Sequence, residues 1–383
     1  MSALTDAFKS LFEINMGTLA GERIVVFSDT IRPDESPSAA DLDRRARLHD
    51  AAEAAAGFAA AAYGNCRFVS FPATAASGAE PPEVLWRAVL GERATAALAD
   101  FGILSRLLAK NASPEDLKRA REIVLAARDD SAAVIIAMAN NSTSHTRFRS
   151  LANCTGGRFA SLPHFDPEMF FTSMRVDWSA LAEKSRILAD AINRAVEICV
   201  SCPNGTSMRF GNRGRKAAAD DGLLTAPGSF GNLPAGEVYL APLEGTSTGT
   251  MVLEYAPTRK LAEPLRLTVS GGIVRGISGN DPHRMYLEQK FAENCANRNI
   301  AELGIGTNDR ATRPDNILEA EKILGTIHIA LGDNSGFGGT VSTPFHEDYV
   351  FYRPTLTAIA ADGTEEILLR DGMPHFMADG ADT

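Results

Sequence analysis

Two of the seven histidines stand near the C-terminal end of the chain, His328 in GTIHIALG and His346 in STPFHEDYVF. Asp348 follows His346 at i+2, and in an extended segment that spacing sends both side chains to the same face. An imidazole beside a carboxylate is half of a divalent-metal site. Two glutamates supply company: Glu237 in GNLPAGEVYLAP and Glu302 in NIAELGIGTN, each read as opening a strand-like run just after turn residues, where a side chain projects from a sheet rim. Carboxylates set among apolar residues and glycine are costly to bury unless they pair or bind a cation. The five residues offer two nitrogen and three oxygen donors, enough for one metal with a spare base or for two metals bridged by a carboxylate. The set holds no thiolate, which points to Zn, Mn, Co or Fe rather than Cu(I).

In this order and at these intervals, PAGEVYLAP, AELGIGTN, HIALG and HEDYVF resemble the four metal motifs of the thermophilic-type metalloaminopeptidases, the family of aminopeptidases T and S. The resemblance covers about residues 130–355 and includes SHTRFRSLANCTGGRFASLP, similar to the stretch where that family's N-terminal domain closes on the second. It implies that Glu237, Glu302, His328, His346 and Asp348 are ligands of a dinuclear site holding Zn, Mn or Co, with Glu302 also the catalytic carboxylate. It implies hydrolysis of a peptide or other small amide by attack of a metal-bound hydroxide. A homodimer that encloses its sites in an internal chamber, open to small extended substrates, follows from the same resemblance. One departure matters: the peptidases place a catalytic tyrosine after their HIALG-like motif, whereas HIALGDNSGFGG has Ser335 there, with Phe337 close by. A missing oxyanion donor costs on the order of 2.7–4 kcal/mol elsewhere.

The same motifs resemble the 2,5-dihydroxypyridine ring-cleaving dioxygenases, which hold one Fe(II) with two histidines and an aspartate. His328, His346 and Asp348 match that triad and leave three positions open for substrate and oxygen. Glu302 ranks the two readings. A second carboxylate has no necessary task around one iron but is needed to hold a second metal, so hydrolysis leads and the dioxygenase is the alternative.

The elements that must position these residues fall into two textures. Up to about residue 170, strand-like runs (Arg23–Phe27, Arg67–Phe71, Ala133–Met138, Arg158–Ser161) alternate with helical stretches (Asp41–Ala62, Pro82–Leu98, Pro114–Ala127). Alternation of this kind predicts an α/β domain with a mainly parallel sheet. A long helix over about Ser179–Ile198 then leads into 171–383, where glycine, proline and short strands predict an α+β, β-rich metal-binding domain with two further helices near Met285–Cys295 and Ile317–Leu324. The Ser113-Pro114 pair marks a helix start.

With 383 residues the chain has room for two or three domains with their own cores. Its 38 basic against 48 acidic residues give a net charge of −10, which disfavours a nucleic-acid partner. Apolar residues make up 45%, yet no run approaches the ~18 that a membrane span needs. The first residues, MSALTDAFKSLFEIN, lack a basic region and a cleavage site, so a cytoplasmic location is expected. Five scattered cysteines fit reduced, mostly buried thiols, and the Cys199/Cys202 pair lacks the further ligands of a zinc site. His145, Arg147 and Arg149 in SHTRFRS have the chemistry to clamp a substrate carboxylate, and His145 and Arg147 are the expected substrate-binding residues. His164 and Asp166, flanked by prolines, read as a loop, His49 and His283 as surface residues, and GDNSGFGGT as a flexible rim loop without the Gly-Lys-Ser/Thr of a phosphate cradle.

Overall fold

The computed structural model describes residues 3–257, 259–314 and 316–376, and the chain divides into two compact units. The first comprises Met1–Arg175 with Gly222–Pro234. Its sheet runs in the order Cys66–Pro72, Ile24–Thr30, Val134–Ala137, Arg158–Ser161 and Phe230–Asn232, with every pairing parallel. The central strands are buried on both faces, which is why IVVF and VIIA read as unbroken apolar runs rather than alternating ones. The helical stretch expected over Pro82–Leu98 is two helices, Glu83–Leu90 and Glu92–Asp100. Gly91 parts them at φ 87°, where an added Cβ would lie 2.5 Å from Asp130 Cβ. Phe230–Asn232, far along the sequence, completes this sheet beside Arg158–Ser161.

The second unit comprises Val176–Asp221 with Ala235–Thr383 and contains two antiparallel sheets. The larger runs from Ile273–Ser278 through Arg259–Ser270, Thr248–Ala256, Ser207–Gly211, Ala195–Ser201, Thr355–Ala360 and Glu365–Arg370 to Met373–Pro374. The smaller has the order His346–Phe351, Ile327–Gly332, Ile300–Gly306, Glu237–Leu240 and Ala218–Asp220. One apolar core joins them, with Ile198, Val200, Phe210, Met251 and Leu267 from the first sheet and Val238, Leu303, Ile305, Ile329 and Phe351 from the second. The long helix ends earlier than its pattern suggests: it spans Trp178–Arg194, and AVEICVS leaves directly as a strand because its β-branched alternation pairs with the strands on either side. The helix read over Ile317–Leu324 is only Ile317–Ala320, and the residues after it turn back over the small sheet.

Candidate metal centre

The register of the small sheet decides which side chains share a face. Glu302 pairs through Ala330 to Asp348, Gly304 lies between Tyr239 and His328, Gly306 pairs with Glu237, and Gly332 pairs with His346. Directly paired residues point the same way. One face therefore carries Glu237, Tyr239, Glu302, His328, His346 and Asp348, with glycine and alanine in the gaps. The residues between them, such as Val238, Leu303, Ile305, Ile327, Ile329 and Tyr349, point into the apolar core. Glu237 does open its strand, as its context suggested, but Glu302 is the third residue of Ile300–Gly306 and is buried in mid-sheet rather than at a rim.

The small residues make room for the large ones. A Cβ on Gly304 would come within 2.0 Å of His328 Cε1 and Nε2, so the imidazole lies flat over the neighbouring strand only because position 304 is empty. There His328 Nε2 is 3.3 Å from Glu237 Oε2 and 3.4 Å from Glu302 Oε1. On the other side of Glu302, His346 Nε2 is 3.5 Å from Glu302 Oε2 and 3.5 Å from Asp348 Oδ2. His346 Nδ1 donates to the Asp333 carbonyl at 2.8 Å, which in the neutral ring fixes the tautomer and leaves the Nε2 lone pair for a metal ion. The two oxygens of Glu302 thus face two different imidazoles.

Two further charged residues belong to the cluster. A Cβ on Gly306 would meet the Ile323 carbonyl at 2.0 Å, so the chain at 321–323 crosses directly over that glycine. The crossing lowers Lys322 onto the face, where Nζ donates to Glu237 Oε1 at 2.5 Å and to Glu321 Oε1 at 2.9 Å. Lys322 is fully buried. Sequence reasoning missed both residues, because EAEK reads as the solvated face of a helix; the glycines at 304 and 306 on one strand face were the available signal that something packs there.

Electrostatics follow from burial and crowding. Burial alone would depress both imidazoles, but the hydrogen bond that His328 donates to Glu302 and the charges of Glu237 and Asp348 lift His328 to about 9, and Asp348 and Glu302 lift His346 to about 10. Burial raises the Glu302 carboxyl despite its hydrogen bond to His328, and raises Glu321 to about 7. Asp348 is held well below the usual carboxylate range, since His346, His328 and Lys322 outweigh its burial. Glu237 Oε2, His328 Nδ1 and Asp348 Oδ1 are buried without a hydrogen-bond partner.

Among the described residues the ligand atoms form three compact groups: Glu237, Glu302 and His328; Glu302, His346 and Asp348; and Glu321, His328 and Asp348. Oxygen and imidazole donors, orphaned buried atoms and surplus negative charge all fit a divalent cation. Each group contains one imidazole, so the expected triad of His328, His346 and Asp348 does not gather around a single point.

Residues 124–368 match the family described as NicX: 2,5-dihydroxypyridine 5,6-dioxygenase. The chain belongs to that family. Two solved structures share the fold of this family member. The structure of 2,5-dihydroxypyridine dioxygenase from Pseudomonas putida KT2440 has a TM-score of 0.68 and 17% identity, over 98% of each chain. Wild-type AmpT from Thermus thermophilus has a TM-score of 0.57 and 15% identity, over 97% of this chain and 99% of its own. No curated protein matches. Both resemblances read from the sequence motifs are therefore seen, and the relatives are enzymes.

The remaining expected residues of this NicX-family chain lie as follows. Ser335 is exposed and donates to Asp333 Oδ1 at 3.0 Å, while the Phe337 ring stands edge-on to His346 and to Tyr239, with centroids 5.9 and 5.8 Å away. The Ser335 loop, expected to be flexible, is pinned: Asn334 receives Val341 N–H and donates to Glu244, which also accepts from Thr340 N–H. His145 and Arg147 are exposed in the first unit, at the start of the helix Arg147–Cys154. Arg149 instead covers the Phe230 ring at 4.3 Å and donates to Ser144 O, so it is structural. His164 and Asp166 lie in a loop where Asp166 caps Pro167–Phe171 and pairs with Arg47. His283 is a correction: it is buried, with Nε2 2.9 Å from the Tyr349 hydroxyl, and not a surface residue. None of the five cysteines forms a disulfide, and Cys202 alone is buried while Cys295 is exposed. No helix of the described residues is long and apolar enough to cross a membrane.

Proposed function

We propose that this chain is a divalent-metal hydrolase whose two ion positions share Glu302, acting on a peptide or other small amide. The supporting observation is the division of the Glu302 oxygens between His328 and His346. Glu237, Glu302 and His328 would hold one ion, and Glu302, His346 and Asp348 the other. Such ions, Zn, Mn or Co, polarise a carbonyl and acidify a water. The chain's own residues do the rest. Glu302 spans both positions and is the catalytic carboxylate. Tyr239, on the same face two residues from Glu237, supplies the phenol that Ser335 does not. Burial, then the charges of Asp220, Glu237 and Glu302, push that phenol up, so it stays a donor.

Membership of the NicX family favours a second reading, a ring-cleaving dioxygenase with one Fe(II). In this structure Glu302, His346 and Asp348 form the compact group that suits it best. Metal content after anaerobic reconstitution, joined to release of N-terminal residues from short peptides and to oxygen uptake with dihydroxypyridines or catechols, separates the two. Close to two zinc or manganese ions per chain with peptide release is the expected result. One iron with substrate-dependent oxygen uptake overturns it. Tyr239→Phe should lower kcat about 100-fold with metal content unchanged. The same reading carries a homodimer, which a monomeric mass by light scattering at micromolar concentration would exclude.

A further inference from the structure

The three ligand groups hold four carboxylates, Glu237, Glu302, Glu321 and Asp348, against one fixed cation, Lys322, and Asp220, paired with Glu237 on the edge strand, adds a charge that stays the same in every variant below. With neutral imidazoles these four and the lysine carry three negative charges. A first divalent ion leaves one, so a second enters a nearly neutral site; without Lys322 it would meet two. The lysine is not a passing surface charge. It is fully buried, its backbone is tied by Lys322 N–H to Glu319 O and by Asn308 N–H to Lys322 O, and its ammonium occupies Glu237 Oε1, leaving Oε2 as that residue's free donor. Access is also unequal. The His346 side chain is 27% exposed and that of His328 only 1%.

We propose that Lys322 is a positioning residue that makes the two ion positions unequal: the position of Glu302, His346 and Asp348 fills first and tightly, and that of Glu237, Glu302 and His328 fills second and weakly because a built-in ammonium already neutralises Glu237. The proposal rests on the two-position reading above. It assigns the lysine a role in metal number, through charge and through restriction of Glu237 to one oxygen.

The test is a titration of the metal-free full chain with Co²⁺ alone, followed by calorimetry and visible absorption. Wild type should show two steps, the second at least tenfold weaker. Lys322→Met should tighten the second step at least tenfold. The double variant Lys322→Met/Glu321→Gln restores the wild-type charge of three negatives, and should return the second step to within about threefold of wild type, a rescue that a merely structural lysine would not give. Should Lys322→Met fail to fold, Glu321→Gln alone, with two negatives, should weaken the second step at least tenfold and the first step less. Two equal steps in wild type, or a second step unmoved in these variants, overturns the role of Lys322. One ion in wild type and two in Lys322→Met sinks the dinuclear reading while supporting the lysine's role; one ion in every variant sinks both.

Discussion

At the end of the Ile24–Thr30 strand the first unit buries Asp29, and both of its carboxylate oxygens are met within the chain, whereas carboxylate oxygens on the small sheet of the second unit are left without partners. Asp29 accepts Asn140 N–H at 2.8 Å and Asn141 N–H at 3.3 Å, Arg45 pairs with Glu35 at 2.5 Å, and Arg44 pairs with Asp41 at 2.6 Å. On the small sheet, by contrast, one lysine faces four carboxylates, and two of their oxygens, Glu237 Oε2 and Asp348 Oδ1, lack partners. Buried charge answered by the chain is architecture, and buried charge left over asks for a ligand. The difference also corrects a habit of fold-level reasoning. Parallel sheets place ligands at strand ends such as that of Asp29, yet here the unsatisfied chemistry lies on an antiparallel face.

The largest expected effect sets the two clusters against each other. On the two-position proposal, Glu302→Gln removes the charge that both positions share, so bound metal should fall below one ion per chain and turnover by roughly a thousandfold. Asp29→Asn should instead cost about 1–3 kcal/mol of stability, the scale of a disturbed buried hydrogen-bond pair, and leave metal content alone. Elemental analysis and chemical denaturation on the same preparations give both readings. A Glu302→Gln chain that retains two ions would erase the distinction.

Next in size is Gly304→Ala, which places a methyl 2.0 Å from the His328 ring. The imidazole must swing away, so metal affinity should drop about 10–100-fold, with about 1–3 kcal/mol lost to overpacking. Gly336→Ala, which meets nothing within 4 Å, is the silent control in the loop beside the site. Equal metal affinity in the two variants would show that His328 holds no ion.

What could be read beforehand follows the same division between local and tertiary signals. Glu237, Glu302, His328, His346 and Asp348 were legible as a set through four short motifs that resemble a known family's metal motifs, and His346 with Asp348 also because a spacing of two in a strand puts both on one face. The parallel sheet of the first unit was legible for the matching reason, since RFAS and VIIA declare themselves locally. Lys322 and Glu321 were not, because their burial comes from the chain crossing over Gly306 and leaves no trace in their own neighbours. Phe230–Asn232 joins the first sheet by a long-range pairing that no local period encodes. His283 was misread for the same reason: the partner that buries it, Tyr349, is remote in sequence.

A smaller effect concerns pH, where the two regions should respond in opposite directions. In the metal-free chain His328 and His346 are raised to about 9 and about 10, above the ~6.5 of an unfolded histidine. Their contribution to stability is therefore complete below pH ~6.5 and lost as pH rises through that upper range. His164 in the first unit is pushed down by burial and by Arg44 and Arg45, so its contribution is present above pH ~6.5 and lost as pH falls below it. Thermal unfolding of the metal-free chain should show both limbs, with hydrogen exchange over 300–306 and 24–30 assigning them. Saturation with Zn²⁺ should flatten the alkaline limb, because ion binding requires neutral imidazoles. An alkaline limb unchanged by metal would mean that these histidines are not ligands.

The smallest effect tests how far the site's demands extend into its loop. The motif resemblance puts Ser335 at the position of a peptidase tyrosine, but its hydroxyl is spent on Asp333 Oδ1, which also accepts Thr343 N–H at 3.1 Å. It is the Asp333 backbone carbonyl, not its side chain, that holds His346 Nδ1. Ser335→Ala therefore removes one exposed hydrogen bond from a residue that keeps another, a change worth within about 0.5 kcal/mol at a surface. Metal affinity and turnover should stay within about threefold of wild type. A loss of a hundredfold in turnover with metal intact would make Ser335 itself a donor to the reacting group, and would move the role assigned here to Tyr239 back to the position where the family's phenol was missed.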